Sequence, residues 1–66
     1  MDRALDLSFN RIAKIAGLDN LQALETLYLA SNKIKCIENI QDLPELRVLE
    51  VGANEITVTI VERLTV

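Results

Sequence analysis

The sequence predicts an α/β solenoid, in which short parallel β-strands line the concave face of a horseshoe arc. Two observations predict it. Leucines and asparagines recur with a spacing of 22 residues along the 66-residue chain. Each copy also contains the alternation L-x-L, which is typical of a half-buried strand because alternate side chains of a strand point to one face. One such strand cannot bury its leucines alone, whereas stacked repeats bury them in a continuous column.

Three columns of residues define the repeat. They are Leu5, Leu27 and Leu49, then Leu7, Leu29 and Val51, then Asn10, Asn32 and Asn54. A period of about 20 to 29 residues with the motif L-x-x-L-x-L-x-x-N-x-L/I is the signature of leucine-rich repeats. The strands are expected to be parallel, because each repeat returns to the same edge of the sheet. Each asparagine follows its strand, where its amide can bond the backbone of the turn and of the neighbouring repeat.

The whole chain, residues 1–66, is expected to form a single leucine-rich-repeat domain with repeats at about 2–23, 24–45 and 46–66. The apolar spacing near three after each asparagine predicts 3₁₀ or irregular convex segments rather than a long helix. Gly17 is interpreted as a turn glycine. The repeat pattern stops after Ile56, so residues 57–66 are predicted to be an atypical tail. Its β-branched run TVTIV favours an extended segment, and a short helical face shared by Ile60 and Leu64 is the alternative.

Composition excludes several classes of function. The net charge of −3 and the pI near 4.7 argue against nucleic-acid binding, which usually needs a basic surface. Cys36 is the single cysteine, so no disulfide forms within the chain and a reducing compartment, the nucleus and cytoplasm, is expected. No segment has the length and apolarity of a membrane span. The chain has no histidine to activate Cys36 and no phosphate, zinc or calcium motif, so we expect no enzyme, metal or cofactor.

The outward-facing strand residues are the candidate binding surface. By alternation they are Ala4, Asp6, Ser8, Thr26, Tyr28, Ala30, Val48, Glu50 and Gly52. The middle row, Asp6, Tyr28 and Glu50, is called the strip below. Two carboxylates that flank an aromatic ring on rigid strands suit protein recognition, and solvated sheet surface is the alternative interpretation. The two carboxylates are expected roughly 9 to 10 Å apart on an open face, which does not suit acid–base catalysis.

At this point a resemblance is visible. The segments LDLSFNRI, LYLASNKI and LRVLEVGANEI are similar to consecutive repeats of the protein phosphatase 1 regulatory subunit 7 family, from Arg3 to about Ile56. The resemblance implies a non-enzymatic regulatory subunit that binds the catalytic subunit of protein phosphatase 1 through its concave face. It implies Asp6, Tyr28 and Glu50 as partner-binding residues. The family has more repeats and a terminal cap, so much of its contact surface has no counterpart here.

Two other functions remain open at this stage. A leucine-rich-repeat scaffold of the ciliary or axonemal assembly type would use the same strip for another partner. A truncated product without independent function is the second alternative, because three repeats without caps give a small core. The open ends of the solenoid also predict weak self-association between copies.

Overall fold

The computed structural model describes residues 3–59, with side chains described as far as residue 57. These residues contain five short strands: β1 (Ala4–Asp6), β2 (Thr26–Tyr28), β3 (Cys36–Ile37), β4 (Val48–Glu50) and β5 (Val58–Thr59). β1, β2 and β4 form one parallel sheet in that order. Leu5 pairs with Leu27 and Leu27 with Leu49, so residues 22 positions apart lie side by side. The predicted parallel strands and their register are confirmed, while the curvature of the arc stays a prediction.

A second parallel sheet was not predicted. β3 pairs with β5, with Cys36 opposite Val58 and Ile37 opposite Thr59. The backbone register of the third repeat therefore continues to Thr59, beyond Ile56, where the apolar pattern of the sequence ends. The extended conformation expected after Ile56 is present at Val58–Thr59. The remainder of the predicted tail, residues 60–66, lies outside the described residues, as do residues 1–2.

The segments between the two sheets are irregular, as expected, but residues 3–59 contain no 3₁₀ or α-helix. Successive turns replace the helix, each closed by an amide that donates to a carbonyl three residues earlier, as Leu21 does to Leu18 and Leu43 to Ile40. Gly17 and Asn39 precede these turns and have left-handed backbone angles, φ 77° and 60°. The interpretation of Gly17 as a turn glycine is confirmed.

The core belongs mainly to the middle repeat. Leu27, Ile34 and Ile40 are completely shielded from solvent, and the other buried apolar side chains are Ile15, Leu18, Leu24, Leu29, Ile37, Leu43 and Leu46. Leu5 and Leu49, the neighbours of Leu27 in the same column, are only half-buried. This gradient is what stacking in one dimension produces, since each repeat is covered only by its neighbours.

A ladder of asparagines joins the repeats. Asn32 is the one buried polar residue among those described, with 4% of its surface exposed. Its Nδ2 donates to the carbonyls of Leu7, Leu29 and Ala30, and its Oδ1 accepts the amide hydrogen of Ile12. Asn54 repeats the arrangement one repeat later, donating to Leu29 and accepting from Ile34. The predicted role of the asparagine column in the turns and between repeats is confirmed.

A second column of residues, 22 positions apart, has the left-handed backbone conformation that turns the chain after each strand. Phe9, Ser31 and Ala53 precede the three asparagines and have φ angles of 59°, 57° and 55°. Residues with a side chain rarely adopt this left-handed conformation, which costs them roughly 1 to 2 kcal/mol. Each repeat therefore contains backbone strain that the asparagine hydrogen bonds offset.

Among residues 3–59 there is no helix of the length and apolarity needed to cross a membrane.

Candidate functional site

The strip is a straight row across the sheet. The register places Asp6 beside Tyr28 and Tyr28 beside Glu50, on β1, β2 and β4. All three side chains are exposed. Because neighbouring strands lie about 4.8 Å apart, the backbones of Asp6 and Glu50 are roughly 10 Å apart with the tyrosine between them. The structure thus brings together the three residues that the sequence selects, and their role in binding stays a prediction.

The surroundings of the strip carry exposed apolar surface. Tyr28 is 40% exposed and Val48, on the adjacent strand, is 48% exposed. Phe9, in the turn after β1, is 83% exposed. These are the large apolar side chains that are exposed among residues 3–57, and exposed aromatic residues on a rigid surface are frequent centres of protein interfaces. Phe9 was not predicted to belong to this surface, although an aromatic residue in an otherwise polar turn could have indicated it.

The two carboxylates of the strip are held by the backbone of their own turns. The Ser8 amide donates to Asp6 Oδ1 at 2.9 Å, and the Gly52 amide donates to Glu50 Oε1 at 2.8 Å. The hydrogen bonds from the Ser8 amide and then from its hydroxyl lower the pKa of Asp6 below the ordinary value of 3.8. Each carboxylate is therefore oriented by a backbone hydrogen bond and keeps a second oxygen for a partner.

Gly52 makes room for the longer of the two acidic side chains. A Cβ atom at this position would lie 2.9 Å from Glu50 Oε1, the oxygen that accepts the Gly52 amide. Asp6 is one methylene shorter than Glu50, and in its repeat Ser8 occupies the corresponding position with a side chain. In both repeats the carboxylate of the strip accepts the amide hydrogen of the residue two positions later, although the side chains of the two pairs differ.

The middle repeat differs from its neighbours at this point. Ala30 is the residue of this repeat that corresponds to Ser8 and Gly52. The strip residue two positions earlier is Tyr28, and its rigid ring carries no oxygen that can fold back to the Ala30 amide. Among the described residues no acceptor bonds the Ala30 amide. Sequence reasoning missed this difference, because it treated the two carboxylates only as ligands for a partner and not as caps for the backbone.

The arrangement does not resemble a catalytic centre. A nucleophile and acid pair needs carboxylates about 5 Å apart, and Asp6 and Glu50 are separated by a whole strand. Partial burial and the nearby Glu38 carboxylate raise the pKa of the Cys36 thiol, so the reactive thiolate is disfavoured. Within the described part of the chain no group of three His, Cys, Asp or Glu side chains is placed to hold a metal ion.

Comparison with known proteins agrees with the repeat and the fold. The family described as "Leucine Rich repeats (2 copies)" matches residues 3–42 and, in a second overlapping match, residues 22–62. The chain therefore belongs to the leucine-rich-repeat family. No solved structure matches it significantly.

Two kinds of relative are similar to the chain. Protein phosphatase 1 regulatory subunit 7 of Homo sapiens and that of Pongo abelii are each 49% identical to it over 39 residues, 59% of this chain and 11% of theirs. The septation initiation network scaffold protein cdc11 of Schizosaccharomyces pombe is 40% identical over 62 residues, 88% of this chain and 6% of that protein. The resemblance to the regulatory subunit 7 family is confirmed over that region, and the chain spans only a small fraction of the length of these relatives.

Proposed function

We propose that the chain is a non-enzymatic protein-interaction module that binds the catalytic subunit of protein phosphatase 1 through the strip. The observation that carries the proposal is the row of Asp6, Tyr28 and Glu50 in direct register on three adjacent strands. The 49% identity to a protein named as a phosphatase regulatory subunit supports the choice of partner. Action in the nucleus and cytoplasm belongs to the same proposal, and the single cysteine is compatible with a reducing compartment.

The chemistry of the strip defines the surface that it recognises. The carboxylates of Asp6 and Glu50 are held by backbone hydrogen bonds, so little conformational entropy is lost when they meet cationic groups. Tyr28 supplies an apolar ring with a polar end between them. The complementary surface is an apolar patch flanked by lysine or arginine side chains about 10 Å apart.

The test is a calorimetric titration of the catalytic subunit with the parent chain and with Asp6→Asn/Glu50→Gln. This double variant keeps the oxygens that accept the Ser8 and Gly52 amides and removes only the charges. We expect binding to weaken at least about tenfold, because two charge-assisted contacts become neutral. Asp42→Asn/Glu45→Gln is the matched control, since it makes the same change of charge at exposed positions outside the strip.

A parent chain that folds and does not bind the catalytic subunit would contradict the proposal. So would equal weakening by the two double variants, because general charge and not the strip would then control binding. Folding is checked first by a thermal melt, in which a cooperative transition is expected.

A scaffold function is the second candidate, and one observation favours it. The similarity to the scaffold protein cdc11 extends over 62 residues, more of this chain than the similarity to the phosphatase subunit covers. In that case the strip would be intact and would recognise a different protein. A dispersed amide NMR spectrum that does not change when the phosphatase is added would favour the scaffold over the phosphatase regulator.

A further inference from the structure

The Ala30 amide lies in the middle of the candidate surface and does not bond the carbonyl of the neighbouring strand that the sheet ladder would give it. In the sheet, the Thr26 amide donates to the Arg3 carbonyl, and continuing this ladder along the strand directs the Ala30 amide towards the Leu7 carbonyl. That carbonyl accepts two side-chain amides instead, from Asn10 at 2.8 Å and from Asn32 at 3.1 Å. Two asparagine side chains therefore occupy the carbonyl towards which the ladder would direct the Ala30 amide.

The corresponding amides of the first and third repeats have acceptors. The carboxylates of Asp6 and Glu50 fold back on the amides of Ser8 and Gly52. Tyr28 offers no such acceptor, so none of the described residues accepts the amide hydrogen of Ala30, a half-buried residue. An amide in this state gains from any acceptor that a ligand supplies.

We propose that the Ala30 amide, beside Tyr28, is a hydrogen-bond donor that takes a neutral oxygen of the bound partner, from a side-chain carboxamide or a hydroxyl. This inference rests on the proposed function and specifies what the centre of the strip recognises. The partner's acceptor is flanked by the cationic groups that face Asp6 and Glu50. The partner surface thus presents two cationic groups and, between them, a neutral acceptor for the Ala30 amide beside the apolar patch that faces Tyr28.

The charges around Ala30 decide that the acceptor is neutral. Asp6 and Glu50 lie on the two adjacent strands, so a partner carboxylate at Ala30 would meet a negative charge on each side. The carboxyl end of a helix carries partial negative charge and is disfavoured for the same reason. A carboxamide or hydroxyl oxygen accepts the hydrogen bond without this repulsion.

The first test compares Tyr28→Asn with Tyr28→Leu. Both variants remove the ring, but only the asparagine can fold its side-chain oxygen back to the Ala30 amide. We expect the free Tyr28→Asn chain to melt about 4 to 8 °C above Tyr28→Leu, because it gains one hydrogen bond in a small domain. We expect it to bind the phosphatase catalytic subunit about fivefold more weakly than Tyr28→Leu, because the donor is no longer available. Thr26→Asn and Thr26→Leu, on the same strand within the β1–β2 ladder, control for the change of polarity and should differ less.

The second test follows the amide itself in the parent chain. Hydrogen exchange of the Ala30 amide is measured in the free chain and in the complex, with the Ser8 amide as the control that is already bonded. Slower exchange at Ala30 by at least about tenfold, with a smaller change at Ser8, is expected when a partner oxygen accepts the hydrogen bond.

Each outcome gives a decision. Equal binding by Tyr28→Asn and Tyr28→Leu, or an Ala30 amide that exchanges equally fast in the complex, overturns the inference and leaves the proposed function intact. If neither Tyr28 variant binds measurably, the exchange experiment on the parent complex decides alone. A folded parent chain that does not bind the phosphatase overturns the proposed function, and the inference with it.

Discussion

The side-chain oxygen of Asn32 accepts the backbone amide of Ile12 at 3.0 Å, across the boundary between the first and second repeats. The same side chain donates to carbonyls on both sides of that boundary, Leu7 in the first repeat and Leu29 in the second. One buried amide therefore satisfies backbone groups of two repeats. It also fixes their spacing, and so the spacing of Asp6 and Tyr28.

Replacing Asn32 is predicted to unfold the chain. Asn32→Ala leaves the Ile12 amide without its acceptor and removes a donor shared by three buried or half-buried carbonyls, which costs about 2 to 4 kcal/mol. A domain of this size has little more stability than that. Asn10→Ala is the matched control, because Asn10 belongs to the same column but is exposed and bonds only carbonyls of its own turn. Denaturant unfolding should show less than about 1 kcal/mol lost at Asn10, and equal losses at the two positions would contradict the account.

Relieving the strained turn before Asn54 is predicted to stabilise the chain. Ala53 is exposed and has a φ of 55°, a conformation in which glycine has no steric penalty. Ala53→Gly should raise the free energy of unfolding by about 0.5 to 1 kcal/mol, since the relief of strain exceeds the added freedom of the unfolded chain. Ala13→Gly is the control, because Ala13 is exposed too but its φ is not positive, so the same substitution should lower stability. A loss of stability at both positions would refute the strain argument.

The hydrogen bond from the Ser8 amide to Asp6 predicts that the stability of the folded chain depends on pH in the acidic range. Hydrogen bonds from Ser8 lower the pKa of Asp6 below 3.8 in the folded chain. Because the folded pKa is the lower one, the stability that Asp6 contributes is present above pH 3.8 and is lost as the pH falls through the folded pKa. A carbon-13 NMR titration of the Asp6 carboxyl should give a midpoint below 3.8, and Ser8→Ala should raise it by removing the hydroxyl. A midpoint at or above 3.8 in the parent would show that the carboxylate does not hold the Ser8 amide in solution.

The strands and the row of site residues follow from the sequence because both depend on one-dimensional patterns. L-x-L fixes which side chains face inward, and the 22-residue period fixes which residues become neighbours, so the sequence alone selects Asp6, Tyr28 and Glu50. The asparagine ladder is predictable for a related reason, since a polar residue repeated between leucines needs backbone partners.

Other features depend on competition in three dimensions, which a pattern does not contain. Phe9, Ser31 and Ala53 share a left-handed conformation although none is glycine or asparagine, so residue type gives no sign of it. The 22-residue period makes Cys36 and Val58 neighbours, but nothing in their residue types indicates that they pair in a second sheet. The Leu7 carbonyl, which faces the Ala30 amide in the sheet, accepts both Asn10 and Asn32, and the second of these lies 25 positions away in the chain.

The measurement that tests the central claim most directly is a two-dimensional amide NMR spectrum of the labelled chain, recorded alone and with the catalytic subunit of protein phosphatase 1. The signals of Asp6, Tyr28, Ala30 and Glu50 should shift or broaden first, and those of Cys36 and Ile37, in the other sheet, should change least. A dispersed spectrum that the phosphatase leaves unchanged, or changes centred on Cys36 and Ile37, would contradict the assignment of the strip as the binding surface.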